Sequence, residues 1–531
     1  TAHTFIAGST GSGKSNTIYC LLGRLKEKGI KFLVIEPAKG EYKDVVGQWA
    51  DVRVFGTNPL IKNMEMLRIN PFRFPRHIHV LEHLDRLVEI FNVCWPMYAA
   101  MPAILKDSVE RAYVDCGWDL AKSENKYDSE LFPTFRDVVS QIREVLAESD
   151  YSADNKGDYT GSLVTRLKSL TNGINGLIFT ADDIKDEDLF DKNVIVDLSR
   201  VGSSETKSLI MGLLVLKQQE YRMEQRVSGA NMNDSLKHVT VLEEAHHLLK
   251  RTSTEQTGEG ANLIGKSVEM LASSIAEMRT YGEGFVIADQ SPGLLDMSVI
   301  RNTNTKIILR LPDLSDRELV GRAAGLNDSQ IEELARLEKG VAVIHQSNWL
   351  EPVLCKIDKY DGEKSSTDSE KEILLGSAVR NARTQQEETQ DASSTLLDWI
   401  MNKELYRKND RVDIEKLKSM ILKSDLEATV KCDFIRYINS DGEKGIESLR
   451  ILVYDFLKAG KAMKEARIYR NIREWVHAVA DQLSPSISGY SREQIDLVMA
   501  LLIYEQSLRN VEYNDILSRY VELYKKEGGV F

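Results

Sequence analysis

Apolar and polar residues alternate along the chain with two periods, and each period predicts one type of secondary structure. Short β-branched runs of about five residues are typical of buried strands, and stretches with an apolar residue every three or four positions are typical of helices. Strand-like runs occupy residues 3–7, 31–36 and 52–55, and a helical pattern follows the first of them over 16–25. Strands that alternate with helices in this way predict an α/β fold with a mostly parallel sheet covered on both faces.

The pattern changes between Arg76 and Arg166, where helical periodicity continues without a convincing strand. The residues with this spacing form an apolar stripe at Val80, Leu81, Leu84, Leu87, Val88 and Phe91. We therefore predict that residues 76–166 are an all-helical insertion in the α/β core. Strand-like runs return beyond the insertion, and they are Gly176–Phe179, Asn193–Leu198, His238–Leu242, Gly284–Asp289, Thr305–Leu311 and Val341–His345.

The last part of the chain differs from the core in composition. Residues 359–395 are rich in Ser, Glu, Gln and Thr, which predicts a linker. Residues 396–531 have helical patterns throughout. We therefore predict a core divided between residues 1–75 and 167–358, followed by the linker and a helical C-terminal domain.

A glycine-rich turn lies between the first predicted strand and the first predicted helix. Residues 8–15 read Gly-Ser-Thr-Gly-Ser-Gly-Lys-Ser, which matches the pattern G-x-x-x-x-G-K-[ST] in full. In this context the glycines let backbone N–H groups face phosphate oxygens, and the helix N-terminus adds a favourable dipole. Lys14 is placed to reach the β- and γ-phosphates, and the Ser15 hydroxyl to ligate Mg²⁺. We predict ATP and Mg²⁺ as cofactors, with nucleotide contacts from Gly8, Ser9, Thr10, Gly11, Ser12, Gly13, Lys14, Ser15 and Asn16.

Two adjacent carboxylates follow the strand-like run 238–242. ATP hydrolysis needs one carboxylate for Mg²⁺, usually through water, and a second that orients or deprotonates the attacking water. We predict that Glu243 completes the metal site with Ser15, although aspartate is commoner at this position, and that Glu244 is the catalytic carboxylate. A polar side chain at the tip of the neighbouring strand can sense the γ-phosphate, and Gln290 is the candidate for that role.

Two further stretches of the sequence have both a functional and an ordinary structural interpretation. Residues 79–83 match the inverted zinc-protease pattern H-x-x-E-H. Histidines four positions apart arise easily beside an apolar stripe, so we expect surface side chains there and no metal site. Residues 250–266 carry Lys250, Arg251 and Lys266 among glycines and threonines. They form either the lining of a channel or an ordinary solvated loop.

Composition and charge narrow the class of protein. The 531 residues are 42% hydrophobic and 28% charged, with a formal net charge of −12. This acidic balance excludes a whole-surface attraction to nucleic acid, so any DNA contact requires a local basic patch. Apolar runs stay well short of the ~20 residues that span a bilayer. The five cysteines are scattered without paired spacing. We expect a reduced, cytoplasmic protein without a membrane partner.

Several motifs together resemble the HerA–FtsK branch of P-loop motor ATPases, and HerA-type helicases most of all. The matching stretches are 8–16, 35–42, 166–173, 242–246, 287–292 and 302–307. The resemblance covers residues 1 to about 355 and implies a RecA-like ATPase core. The helical insertion is also similar to that of the ATPases of conjugative secretion systems. The helical C-terminal extension is not part of the common pattern.

The resemblance also implies an assembly. It implies a homo-hexameric ring with ATP at the subunit interfaces and double-stranded DNA in the central pore. A neighbouring subunit would supply an arginine to the γ-phosphate. Arg279 lies where the family carries this arginine, Arg310 and Arg322 are alternatives, and Arg279 could instead be a cation at a helix C-terminus. Family members usually have a β-barrel before the phosphate loop, and the chain starts at Thr1 just ahead of that loop, so we expect an upstream domain.

Three functions stay open on the sequence. The first is an ATP-driven translocase on duplex DNA that works with a nuclease or another effector, in DNA processing or in defence against phage. The second is an assembly platform that uses ATP to bind and regulate an effector enzyme, with little translocation. The third is a protein-export ATPase, which rests on the similarity of the insertion alone.

Overall fold

Twelve strands lie in the described part of the chain, and ten of them form one sheet. The computed structural model describes residues 3–61, 64–95, 97–227, 235–251, 259–362, 392–401, 414–440, 442–487 and 489–527. The strands are β1 Thr4–Ala7, β2 Lys31–Glu36, β3 Val52–Gly56, β4 Glu65–Met66, β5 Trp118–Asp119, β6 Glu124–Asn125, β7 Asn193–Asp197, β8 His238–Glu243, β9 Glu283–Asp289, β10 Thr305–Ile308, β11 Val341–Gln346 and β12 Val353–Lys356.

The strand order places β1 inside the sheet. The order is β12-β11-β10-β1-β9-β8-β2-β7-β3-β4. Neighbours from β10 to β4 run parallel, whereas β10–β11 and β11–β12 are antiparallel. The mostly parallel sheet is therefore confirmed, and β4 and β12 extend it beyond the strands predicted from the sequence. Strand β9 lies between β1 and β8, so the carboxyl ends of these three strands lie side by side at one edge.

Helices cover the sheet and make up most of the remaining described residues. Those before residue 340 are α1 Lys14–Glu27, α2 Tyr42–Val45, α3 Val80–Cys94, α4 Met101–Asp115, α5 Phe135–Glu148, α6 Ala153–Tyr159, α7 Thr165–Leu170, α8 Gly173–Ile178, α9 Asp186–Phe190, α10 Ser204–Val227, α11 Glu259–Glu277, α12 Met297–Arg301, α13 Leu314–Ala323 and α14 Asp328–Glu333. A π-helical turn, Thr160–Val164, joins α6 to α7.

The strand expected over Gly176–Phe179 is wrong, because these residues belong to α8 and the turn after it. A short apolar run fits a helix as well as a strand. Gly173 starts the helix with φ +57°, a left-handed conformation that favours glycine. Inside the predicted insertion, the structure adds the two-stranded hairpin β5–β6, which the helical periodicity did not indicate.

The first helix is fixed on the sheet by a shared apolar core. Ile18 and Leu22 of α1 are fully buried against Ile6 of β1 and Val34 of β2. Full burial of such a side chain contributes about 1.5–3 kcal/mol. Because Lys14 begins α1, this packing also fixes the position of the lysine relative to the strand ends.

The described residues divide into two compact units. The first lies within residues 1–110, 139–179 and 183–382, and it contains the ten-stranded sheet. The second lies within 111–138, 180–182 and 383–531. Its described helices beyond residue 390 are α15 Ala392–Trp399, α16 Ile414–Lys423, α17 Ala428–Ile438, α18 Gly442–Phe456, α19 Ala459–Glu465, α20 Ile472–Ile487, α21 Arg492–Arg509 and α22 Asn514–Glu527.

The second unit joins part of the predicted insertion to the C-terminal helices. Asp137 Oδ1 accepts a hydrogen bond from the backbone N of Ala428 at 3.0 Å, and Lys418 Nζ lies 2.6 Å from Asp128 Oδ2. The unit has its own apolar core, with Leu452 and Ile503 fully buried. Most of the predicted linker, residues 363–391, lies outside the described residues.

No helix among the described residues has the length and apolar character required to cross a membrane.

Candidate nucleotide-binding site

The glycine loop turns between β1 and α1 as its sequence predicts. Gly11 and Gly13 have φ +76° and +109°, conformations that L side chains rarely adopt. A Cβ on Gly8 would lie 2.6 Å from Ser12 Oγ. Backbone bonds hold the loop, from Gly8 N to Asp289 O at 3.2 Å and from Ser9 N to Arg310 O at 3.0 Å. The loop is therefore anchored to the ends of both strands that flank β1.

Lys14 lies between the two carboxylates that end β8. Its Nζ donates to Glu244 Oε1 at 2.7 Å and lies 3.6 Å from Glu243 Oε1. All three side chains are almost fully buried. Glu244 has φ +44° and ψ +52°, a left-handed backbone that costs a non-glycine residue about 1–3 kcal/mol. Strained backbone of this kind is concentrated at functional sites.

Gln290 connects the glycine loop to Glu244. It follows β9, and its Nε2 donates to Glu244 Oε1 at 2.5 Å. Its Oε1 accepts from Thr10 Oγ1 at 2.6 Å. The structure thus brings three predicted catalytic residues, Lys14, Glu244 and Gln290, into one hydrogen-bonded network.

Ser15, one of the two predicted metal ligands, contacts a carboxylate that we did not single out, that of Glu41. Ser15 Oγ donates to Glu41 Oε1 at 2.5 Å. Glu243 Oε1 is buried and accepts no hydrogen bond from the described residues, which leaves an oxygen available for a cation. Burial is the largest influence on the pKa of Glu243 and raises it, while Lys14 opposes the shift. Hydroxyl and carboxylate oxygens suit Mg²⁺, so this donor set fits the predicted ion.

Glu41 is held in place by the end of β2. Its backbone N and that of Tyr42 donate to Glu36 Oε1 and Oε2 at 2.8 and 3.1 Å. Burial raises the pKa of Glu36 to about 7, although these two hydrogen bonds lower it. The sequence signals for Glu41 were its position just beyond a buried strand, where parallel sheets gather ligand contacts, and its place in the matching stretch 35–42.

A second cluster lies next to Glu244. Ligand-type atoms of Glu244, His246 and Asp289 all lie within 4.8 Å of one another. Within it, His246 Nδ1 and Asp289 Oδ2 are already hydrogen-bonded at 2.9 Å. Ser15 and Glu243 stay the predicted Mg²⁺ ligands. Sequence analysis did not single out His246 or Asp289, because neighbouring strands alone do not show which side chains meet beyond the strand ends.

The three candidate arginines lie in different environments. Arg279 is exposed in the turn Met278–Tyr281 that precedes β9, and so lies at the edge of the sheet opposite Gln290. It lines an open cavity of about 440 Å³ together with Arg301. The backbone oxygen of Arg310 accepts a hydrogen bond from Ser9 N, which places Arg310 beside the glycine loop of the same chain. The exposed Arg322 guanidinium pairs with Asp328.

The Asn16 side chain contacts backbone outside the glycine loop. Its Nδ2 donates to Asp358 O and its Oδ1 accepts from Tyr360 N, both at 2.9 Å. These bonds attach the segment after β12 to α1. A direct nucleotide contact from Asn16 stays a prediction.

The histidines of residues 79–83 have structural roles. His83 is fully buried rather than on the surface as we expected, with Nδ1 2.8 Å from Glu220 Oε2 and Nε2 3.1 Å from Pro71 O. His79 caps α3 by accepting from Leu81 N. Both partners of His83 come from outside the motif, so the sequence pattern alone did not reveal the burial. Of the loop 250–266, residues 252–258 lie outside the described part of the chain.

Comparison with known proteins agrees with this geometry. Residues 1–217 match the family model described as the helicase HerA central domain. This part of the chain is therefore similar to the central domain of HerA-type P-loop ATPases. The resemblance to HerA-type helicases inferred from the motifs is thereby confirmed over these residues.

Individual relatives extend the similarity beyond the HerA central domain. The DNA double-strand break repair helicase HerA of Sulfurisphaera tokodaii is 24% identical over 375 residues, which cover 69% of this chain and 67% of the relative. The HerA of Sulfolobus acidocaldarius is 24% identical over 370 residues, covering 69% and 66%. The chain thus spans about two thirds of the length of these relatives.

A solved structure supports the fold. VirB4 of Thermoanaerobacter pseudethanolicus superposes with a TM-score of 0.50 and 18% identity, over 68% of this chain and 90% of that chain. At this identity the likeness concerns the arrangement of strands and helices and not the activity.

Proposed function

We propose that this HerA-type ATPase hydrolyses ATP in a ring of identical subunits and uses the cycle to move along double-stranded DNA. The observation that carries the proposal is the network of Lys14, Glu244 and Gln290. A P-loop lysine, a buried carboxylate and a polar side chain from the intervening strand are the groups that hydrolysis of a γ-phosphate requires.

Each residue of the network has a separate chemical task. Backbone N–H groups of the glycine loop and the Lys14 ammonium would bind the phosphates. Ser15 and Glu243 would hold Mg²⁺, which supplies positive charge against the phosphate oxygens when bound. Glu244 would orient and deprotonate the attacking water, and Gln290 would transmit the state of the γ-phosphate to β9. Glu41 lies within reach of Ser15 and would orient the metal-binding hydroxyl.

The ring is supported by the position of Arg279. A finger that serves a neighbouring subunit must be exposed and distant from its own phosphate loop. Arg279 fulfils both conditions, since it precedes β9 whereas its own loop faces the carboxyl end of that strand. Arg310 fails the second condition, and Arg322 is engaged with Asp328.

Duplex DNA is proposed as the track because the HerA relatives carry DNA repair in their names. With a net charge of −12, the chain requires a local basic surface for this contact. Cooperation with a nuclease or another effector, and a role in phage defence, stay predictions from the resemblance.

The proposal is tested by measuring ATP turnover of the purified protein with and without linear duplex DNA. We expect clear stimulation by DNA, and Lys14→Ala as the control should show no turnover under either condition. Turnover that ignores DNA would contradict the motor and favour the assembly platform. Absence of turnover in the wild-type protein would contradict both.

A further inference from the structure

His246 is fixed next to the catalytic carboxylate by a buried partner. It lies in the single turn Ala245–His247 that follows β8. Asp289 Oδ2 accepts two hydrogen bonds from it, one from the backbone N and one from Nδ1, each at 2.9 Å. Asp289 is fully buried, and its other oxygen accepts from Ser291 N at 2.9 Å. The His246 ring therefore has one defined orientation, with the proton on Nδ1 assigned from the carboxylate acceptor.

The fixed ring faces the oxygen of Glu244 that the rest of the network leaves open. Lys14 and Gln290 both donate to Oε1 of Glu244. Oε2 receives no hydrogen bond from the part of the chain that the structure describes, and His246 Nδ1 lies 3.7 Å from it. The two oxygens of the Glu244 carboxylate thus have different neighbours. Oε1 accepts hydrogen bonds from Lys14 and Gln290, whereas Oε2 lies beside His246.

The backbone of Glu244 makes such support necessary. Its left-handed φ of +44° interrupts the strand geometry, so the ladder of β8 no longer sets the direction of the side chain. The next turn is secured by His247 N donating to Glu244 O at 3.0 Å and by the two bonds from His246 to Asp289. The His246–Asp289 pair therefore anchors the strained residue to the neighbouring strand.

Charge supports the same arrangement. The hydrogen bond to Asp289 raises the pKa of His246 above its usual value, against burial and the repulsion from Lys14. The His247 ring stacks on His246 with centroids 4.6 Å apart, but its side chain makes no hydrogen bond to Glu244 or Asp289 in the described part of the chain. The hydrogen bond to Asp289 therefore holds the His246 ring with Nδ1 3.7 Å from Oε2 of Glu244.

We propose that His246, held by Asp289, is a positioning residue that orients the free oxygen of Glu244 toward the attacking water. The inference rests on the proposed hydrolysis of ATP. It adds to the site a His–Asp pair from two neighbouring strands, which acts through Glu244 and does not touch the nucleotide.

The test compares three variants for turnover and for ATP binding. His246→Leu removes the donor and should lower kcat by about 10- to 100-fold, while the KM for ATP and the affinity for a non-hydrolysed ATP analogue stay within about twofold. His246→Asn places an amide N–H near the position of Nδ1 and should restore most of the rate. His247→Leu is the matched control on the adjacent, stacked histidine and should leave kcat close to that of the wild type.

Several results of this test would contradict the positioning role of His246. Equal losses in kcat and affinity, no rescue by asparagine, or an equal loss in His247→Leu would each overturn the positioning role. If His246→Leu does not fold, His246→Ala answers the same question. A wild-type protein without turnover would contradict the proposed function itself, and an active wild type matched by His246→Leu would contradict only this inference.

Discussion

Lys14 Nζ and Glu244 Oε1 are 2.7 Å apart, so the lysine predicted to bind phosphate is paired with the carboxylate predicted to activate water. Both side chains are buried, so removal of either one leaves the other as an unpaired charge inside the protein. The ammonium that binds a phosphate must release or share its bond to Glu244. The pair thus links occupancy of the phosphate loop to the freedom of the catalytic carboxylate.

Replacing Lys14 tests whether this residue binds the phosphates of ATP. In Lys14→Ala the phosphates lose the ammonium, and we expect ATP affinity to fall at least tenfold and turnover to fall below detection. Equilibrium binding of a fluorescent ATP analogue and a phosphate-release assay measure the two effects. Full turnover in this variant would move the nucleotide site elsewhere.

Replacing Glu244 tests whether its carboxylate activates the attacking water. Glu244→Gln keeps the shape of the side chain but removes the base, and the loss of a general base lowers kcat by about 10²–10⁴. ATP should bind at least as tightly as in the wild type, because Lys14 is no longer paired with this carboxylate. The same two assays apply, and unchanged hydrolysis would assign the base to another residue.

Gln290 should affect the rate more than binding. In Gln290→Ala the connection from Thr10 to Glu244 is lost, and we expect kcat to fall about tenfold with little change in KM. Gln290→Glu is the sharper variant, since it places a second negative charge where Nε2 now lies 2.5 Å from Glu244 Oε1. A rise in KM without a change in kcat would show that Gln290 binds ground-state nucleotide instead.

In the predicted ring, Arg279 of one subunit acts on the ATP that is bound by the neighbouring subunit. Arg279→Ala should be nearly inactive alone, because an arginine finger contributes about 10³–10⁵ in rate. Mixing it with the inactive Lys14→Ala protein should restore turnover, since intact loops then meet intact arginines across subunit interfaces. Arg322→Ala serves as the control and should retain the wild-type rate. No recovery on mixing would contradict a trans role.

Glu36 should make stability depend on pH. Its pKa is about 7 in the folded protein against 4.5 as the ordinary value, so the folded state binds the proton more tightly. The resulting stability is complete below pH 4.5 and is lost as the pH rises to about 7. At about 1.4 kcal/mol per pKa unit the loss amounts to about 3 kcal/mol.

Glu36→Gln lacks this titration, although it weakens one of the two backbone hydrogen bonds. The free energy of unfolding of the wild type minus that of Glu36→Gln should therefore fall between pH 4.5 and 7.5 and then level off. Denaturant melts at a series of pH values measure the difference. A difference that rises with pH would mean that the backbone hydrogen bonds outweigh the burial of the carboxyl group.

Local sequence patterns predicted the parts of the site that are contiguous in the chain. The spacing of Gly8, Gly13 and Lys14 fixed the loop, and the two carboxylates after a β-branched strand indicated Glu243 and Glu244. The partners that come from other strands were harder to predict. The pair Ser15–Glu41 depends on the order of the strands in the sheet, which apolar periodicity does not contain. The pair His246–Asp289 depends on side-chain directions beyond the ends of two neighbouring strands, which adjacency alone does not show.

Two other predictions from the sequence were wrong, namely the exposure of His83 and the strand over Gly176–Phe179. His83 lies on a helix beside an apolar stripe, and its partner Glu220 is 137 positions away. The apolar run after Gly176 was too short to distinguish a strand from a helix. Both cases were decided by tertiary packing, which a single sequence reveals only where a motif specifies it.

Movement along DNA is the central claim, and displacement of a third strand from a duplex measures it directly. A triplex-forming oligonucleotide bound to a linear duplex should be released by the wild-type protein when ATP and Mg²⁺ are present, and should stay bound with Glu244→Gln. Release that needs ATP and an intact Glu244 is the result that we predict. A protein that hydrolyses ATP but leaves the third strand in place would contradict the motor.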